Sequence, residues 1–147
     1  MALSDDELAR RSADAMWSED RASKGLGMAI ESIGPGVAVL SMTITDAMVN
    51  GHGIAHGGFI FLLADSAFAF ACNSRNQRHV AQQCQISYLA PGKLGMRLTA
   101  EARERHRAER SGIYDITVRD ATGATIAEFR GHSRSIPGTL IGDGTRP

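Results

Sequence analysis

The feature that most restricts the fold of this chain is one run, Phe59-Ile-Phe-Leu-Leu-Ala-Asp-Ser-Ala-Phe-Ala-Phe-Ala-Cys72, apolar on nearly every side. A surface helix keeps a polar face, and this segment has none. It is longer than an ordinary strand and its alanines favour helix, so a buried helix is expected. It opens directly from a glycine-rich stretch, Asn50-Gly-His-Gly-Ile-Ala-His-Gly-Gly58. Other elements must wrap it.

The flanking sequence supplies strands for that purpose. Residues 27–33 and 37–44 read as two strands joined at Gly34-Pro35-Gly36, and Ala38, Leu40, Met42 and Ile44 fall on one face at period two. Further strands are expected near 79–89, 96–107, 112–119 and 124–135, where Tyr114, Ile116 and Val118 alternate with Asp115 and Thr117. Asp120-Ala-Thr-Gly123 reads as a hairpin turn. Ser4 ahead of Asp5, Asp6 and Glu7 reads as the cap of a short N-terminal helix whose apolar stripe is Ala9, Ala13, Met16 and Trp17. With no βαβ alternation, the expectation is α+β: about six antiparallel strands curling around one long buried helix. One domain over residues 1–147 is expected, with 137–147 a loose tail.

Composition narrows the partners. Lys plus Arg number 16 and Asp plus Glu 16, so the basic excess of a nucleic-acid binder is missing. Cys72 and Cys84 stand apart with no C-x-x-C pairing, which argues against a zinc cage or a disulfide framework. The acidic, polar start is unlike a secretory signal, and no run of ~18 apolar residues offers a membrane span. A cytoplasmic protein is expected.

Between Ala47 and Ser74, Asp65 is the only residue with a formal charge. A carboxylate among Leu62, Leu63, Ala64, Ala67 and Phe68 is costly to bury, and such perturbed groups gather at functional sites. The plainer alternative is a structural Asp tied to Ser66 or to a backbone amide. Gly57-Gly58 opens the helix, where unpaired amides and close backbone approach could make an oxyanion hole for acyl transfer. A tight turn alone would also explain the pair.

Spacing links the two features. Gly57 and Asp65 are eight residues apart, about 12 Å along a helix, too far to meet one carbonyl. Two antiparallel copies across a two-fold axis could supply one group each. An obligate dimer is therefore expected, with Ala64, Ala67 and Ala71 permitting close approach. His52 and His56 lie four apart in the glycine-rich loop with no acidic partner nearby, so no metal site is expected there. The run Arg103–Arg110 reads as a solvated hairpin end, or as cations, among Lys93, Arg103, Arg105 and Arg107, that meet phosphates.

Asn50-Gly-His-x-x-x-His-Gly-Gly58 followed by Leu63-Ala-Asp-Ser-Ala-Phe-Ala-Phe-Ala-Cys-Asn-Ser74 resembles the signature of the PaaI-type hot-dog thioesterases of phenylacetate catabolism. The likeness runs in outline to Ile141, through Leu89-x-Pro-Gly92, Gly112-x-Tyr-Asp115 and Phe129-Arg-Gly-x-Ser133. It implies a hot-dog fold and a homotetramer built from two dimers. It also implies hydrolysis of phenylacetyl-CoA, its hydroxylated relatives or another aryl or medium-chain acyl-CoA, with coenzyme A part of the substrate and no separate cofactor. Asp65 falls on the family's catalytic carboxylate and Gly57 on its oxyanion-hole amide. Asn50, His56, Gly58 and Ser66 are the substrate-binding candidates. Ser66 stands where threonine is usual and Phe70 where tyrosine is common, which bears on the acyl group.

Two rival readings also fit the residues. A same-fold hydratase or dehydratase would hold the His56 imidazole against Asp65. A non-catalytic acyl-CoA binder would release no thiol.

Overall fold

Alternation and the apolar run place the regular elements where they form. The computed structural model describes residues 2–142. In chain order these are α1 (Asp5–Glu19), α2 (Arg21–Gly25), β1 (Ala29–Gly34), β2 (Val37–Thr43), α3 (Gly57–Cys72), β3 (His79–Tyr88), β4 (Arg97–Arg107), β5 (Ser111–Arg119) and β6 (Thr125–Ser135). A 3-10 turn over Asp46–Met48 leads toward the glycine-rich loop.

The strands form one antiparallel sheet in the order β1-β2-β4-β5-β6-β3. Helix α3 lies against β2, β4 and β5. Ala38, Leu40, Met42 and Ile44 are buried, as are Tyr114, Ile116 and Val118, so both period-two faces point toward the helix. Each large apolar side chain so buried is worth roughly 1.5–3 kcal/mol. This is the hot-dog architecture that the resemblance implies.

Local chemistry ends and begins the helices. Ser4 Oγ accepts the Glu7 N–H (3.2 Å) and the Glu7 carboxylate accepts the Ser4 N–H (3.1 Å), a reciprocal cap for α1. At the far end of α3, Asn73 Nδ2 donates to the Ala69 carbonyl (2.9 Å) and Ser74 Oγ donates to that of Ala71 (2.7 Å). The Ser74 hydroxyl also accepts the Gly36 N–H (2.8 Å), fastening the β1–β2 turn to the helix end. Among the described residues, no helix is long and apolar enough to cross a membrane.

Two expectations need correction, and one element is additional to them. Ala64, Ala67 and Ala71 are fully buried within the chain, under its own sheet, so they cannot line a contact between two copies of α3. The partly open stripe is instead Gly58, Phe61, Leu62, Asp65 and Ala69. The tail from Pro137 is not loose where it is described. Asn76 Oδ1 accepts the N–H groups of Leu140 and Ile141 (2.9 Å each), and Asn76 Nδ2 donates to the carbonyls of Ile141 (3.2 Å) and Gly142 (2.7 Å). Residues 143–147 lie outside the described region. Helix α2 was not expected. It starts on an Asp20 cap, whose carboxylate accepts the Ser23 N–H at 2.9 Å.

Candidate active site

The fold sets Asp65 in the middle of α3, on the stripe the sheet does not cover. The side chain is partly buried, and burial pushes its carboxyl above the ordinary 3.8. Among the described residues its carboxylate has no hydrogen bond and no ion pair. The alternative of an Asp tied to Ser66 or to a backbone amide is therefore not what forms. An unpartnered, half-desolvated carboxylate is suited to take a proton from water.

The head of α3 presents three amides. The Phe59 N–H donates to the His56 carbonyl (3.0 Å), and the Gly58 N–H donates to His56 Nδ1 (3.1 Å). The Gly57 N–H has no partner among the described residues. That amide is the one available to a substrate oxygen. Gly58 contributes its missing side chain and not its amide. His56 caps the helix, and its ring meets Phe59 edge-on at 6.4 Å. The imidazole is held there and not against Asp65, so the lyase geometry does not form within the chain.

Asn50 stands in the preceding turn, where its Oδ1 accepts the His52 N–H (2.9 Å). With Gly57 it lines a cavity of about 640 Å³, walled by Ile54, Ile60, Leu89 and Pro91. Ser66 faces elsewhere. It is 9% exposed, and its Oγ lies 2.9 Å from Ser23 Oγ, which donates onward to Asp20 Oδ2 (2.7 Å). With the Ser23 proton committed to Asp20, the Ser66 hydroxyl donates to Ser23 and ties α3 to α2. Adjacent helical residues point about 100° apart, so Ser66 turns inward where Asp65 turns out.

The family model of the Thioesterase superfamily matches residues 52–127, from the glycine-rich loop to β6. The acyl-coenzyme A thioesterase PaaI of Escherichia coli K12 is 46% identical over 133 residues, covering 90% of this chain and 95% of that protein. The solved structure of the E. coli PaaI protein from the phenylacetic acid degradation operon superposes with a TM-score of 0.91 over 92% of this chain and 99% of that one. A Streptococcus mutans protein solved bound to acetyl CoA is 27% identical, with a TM-score of 0.74 over 76% of this chain and 90% of that one.

The chain belongs to the thioesterase superfamily. Within it, the chain is a PaaI-type hot-dog thioesterase, an enzyme that hydrolyses thioester bonds.

In this thioesterase the basic run divides. Arg103 Nε donates to Glu101 Oε1 (2.9 Å), and Arg105 Nε donates to Asp115 Oδ2 (2.9 Å), so both are engaged on the sheet's outer surface. Arg75 grips Glu104 with two hydrogen bonds (2.7 and 3.0 Å), and the buried Tyr114 hydroxyl donates to the same carboxylate (2.8 Å). Burial works to raise the Glu104 carboxyl, yet the Arg75 and Tyr114 bonds outweigh it and hold it below its ordinary value. Lys93 and Arg107 have no ion pair among the described residues. Arg107 lines a cavity of about 420 Å³ with Arg75, His79 and Cys72. Burial, then the charge of Arg107, keeps His79 below its ordinary value.

Sequence reasoning missed Tyr88. This last residue of β3 reaches back to Gly57, and its hydroxyl donates to the Gly57 carbonyl (2.8 Å). The only hint in the sequence was an aromatic residue at a strand end. Periodicity does not say which loop such a ring will meet.

Proposed function

We propose that this thioesterase hydrolyses phenylacetyl-CoA, hydroxyphenylacetyl-CoA or a related aryl or medium-chain acyl-CoA to the free acid and coenzyme A. The observation that carries the reading is the pairing of two unpartnered groups on one helix, the Asp65 carboxylate and the Gly57 N–H. The cavity beside Gly57 has apolar walls at Ile54, Ile60, Leu89 and Pro91, which suit an aryl or alkyl group. The likeness to the E. coli acyl-coenzyme A thioesterase and to a protein solved with acetyl CoA supports the coenzyme A ester as substrate. The enzyme acts in the cytoplasm.

In the reaction, the thioester carbonyl accepts a hydrogen bond from the Gly57 N–H. Asp65 takes a proton from a water as that water's oxygen bonds to the carbonyl carbon. The tetrahedral intermediate collapses, the C–S bond breaks, and the Asp65 proton passes to the departing thiolate. Direct attack by Asp65, giving an anhydride that water then opens, balances equally well.

One chain does not bring the two groups together. Asp65 lies on the uncovered stripe of α3, and β3 is an edge strand with Val80 and Tyr88 exposed. A second copy laid antiparallel would cover that stripe and extend the sheet edge to edge. Each site then takes Gly57 from one subunit and Asp65 from the other, in a dimer that pairs into a tetramer. Asn50 and His56 shape the turn beneath the substrate. Of the four cations considered, Lys93, Arg103, Arg105 and Arg107, only Lys93 and Arg107 have no ion pair among the described residues, and they are the ones to meet coenzyme A phosphates.

The test is free-thiol release over a panel of aryl and aliphatic acyl-CoAs, run beside Asp65→Asn. Turnover by the variant should fall by about 10²–10⁴-fold with the fold intact. Near-normal turnover would refute the assignment.

A further inference from the structure

The first turn of α3 is gripped from two directions. Below it, His56 Nδ1 accepts the Gly58 N–H at 3.1 Å. Above it, the Tyr88 hydroxyl donates to the Gly57 carbonyl at 2.8 Å, from a position 31 residues further along the chain. The ring also presses on Gly57, since a Cβ there would stand 2.9 Å from Tyr88 Cζ and 2.9 Å from its hydroxyl oxygen. Tyr88 is 50% exposed and forms part of the wall of the cavity that Asn50 and Gly57 line.

That grip answers a specific need. Helix ends fray, and two consecutive glycines have the widest conformational freedom of any pair. No side chain of their own can fix the turn. Yet an oxyanion donor stabilises a transition state only if it already points where charge will develop. A donor that wanders by a few tenths of an ångström or 10–20° loses much of that benefit.

We propose that Tyr88 is a positioning residue of this thioesterase. By holding the Gly57 carbonyl, its hydroxyl sets the tilt of the first turn of α3 and so aims the Gly57 N–H into the cavity. The inference rests on the reading of Gly57 as the oxyanion donor. Burial pushes the Tyr88 phenol up, so it remains a donor through the neutral range.

Tyr88→Phe tests this, because it keeps the ring and removes only the hydroxyl. The expected result is a fall in kcat of about tenfold with KM changed less than about twofold, since the lost alignment matters only when charge develops. Thermal stability should stay close to that of the parent enzyme. A merely structural hydrogen bond would lower thermal stability and leave kcat alone, and that result overturns the proposal. So does a parallel rise in KM with kcat preserved, which would make Tyr88 a binding contact. Asp65→Asn is assayed in parallel. If it is inactive while Tyr88→Phe turns over normally, the positioning role alone fails. If Asp65→Asn is active, the site assignment fails and this inference with it.

Discussion

The ring of Phe68, in the middle of α3, lies directly over Gly131 of β6. A Cβ at Gly131 would stand 2.7 Å from Phe68 Cε2 and 2.8 Å from both Cδ2 and Cζ, closer than non-bonded carbon atoms approach one another. Phe68 meets Tyr114 at 5.6 Å and Phe129 at 6.0 Å between ring centres, so it has no room to retreat. The missing side chain of one strand residue thus sets how closely the helix approaches its sheet.

Gly131→Ala should therefore cost about 1–3 kcal/mol of stability, the usual range for overpacking a filled core. Urea denaturation at neutral pH measures it. Shortening the neighbour with Phe68→Leu in the same chain should recover part of the loss. A neutral Gly131→Ala would show that the ring can move aside.

The Asp65 carboxyl gives a stability prediction with a definite sign. Burial raises it above 3.8 in the folded chain, so the folded state holds the proton more tightly than the unfolded state does. The stability contributed by the protonated form is complete below the unfolded value and is lost as pH rises through the raised folded value. Asp65→Asn never bears the charge. Its melting temperature should match the parent in strong acid and exceed it at neutral pH, while its turnover collapses. Calorimetry across the acid-to-neutral range checks this, and a parent more stable than the variant at neutral pH would reveal a partner for the carboxylate.

The same shift predicts where activity fades in acid. Asp65 must be ionised to accept a proton, so the acid limb of kcat/KM should fall above the ordinary carboxylate range. A profile flat down to the unperturbed value of 3.8 would contradict the burial of this group.

Asn76 combines two roles that substitutions can separate. Its backbone is left-handed at φ 60°, and its side chain makes the four hydrogen bonds that hold Leu140–Gly142. Asn76→Gly keeps the backbone and loses the clamp. Asn76→Ala loses both and should be less stable than the glycine variant by about 1 kcal/mol, the penalty for a Cβ in that region. Both should speed proteolysis of the C-terminal segment relative to the parent.

Most of the fold was legible because its signals are local. Alternation over Ala38–Ile44 and Tyr114–Val118 announces strands whose faces differ, and the run over 59–72 announces a helix that must be buried. Solitude in an apolar run also marked Asp65, and glycines at a helix entry marked Gly57. What stayed hidden is what a helix apolar all round cannot encode locally. With no polar face there is no phase, so nothing indicated that Ala64, Ala67 and Ala71 turn toward the sheet. The inward tie from Ser66 to Ser23 and the reach of Tyr88 to Gly57 join residues distant in sequence, and helix α2 is too short to show a period.

The position of α3 between its covering strands has a further consequence for how the polypeptide is made. Strand β2 leaves the ribosome before the helix, but β4 and β5 follow it, ending only at Arg119. During that interval the greasiest segment of the nascent polypeptide lacks two of the three strands that cover it most, and exposed apolar surface of this kind invites aggregation. Chaperone demand during translation should peak over that interval and subside once the hairpin of β4 and β5 closes over the helix.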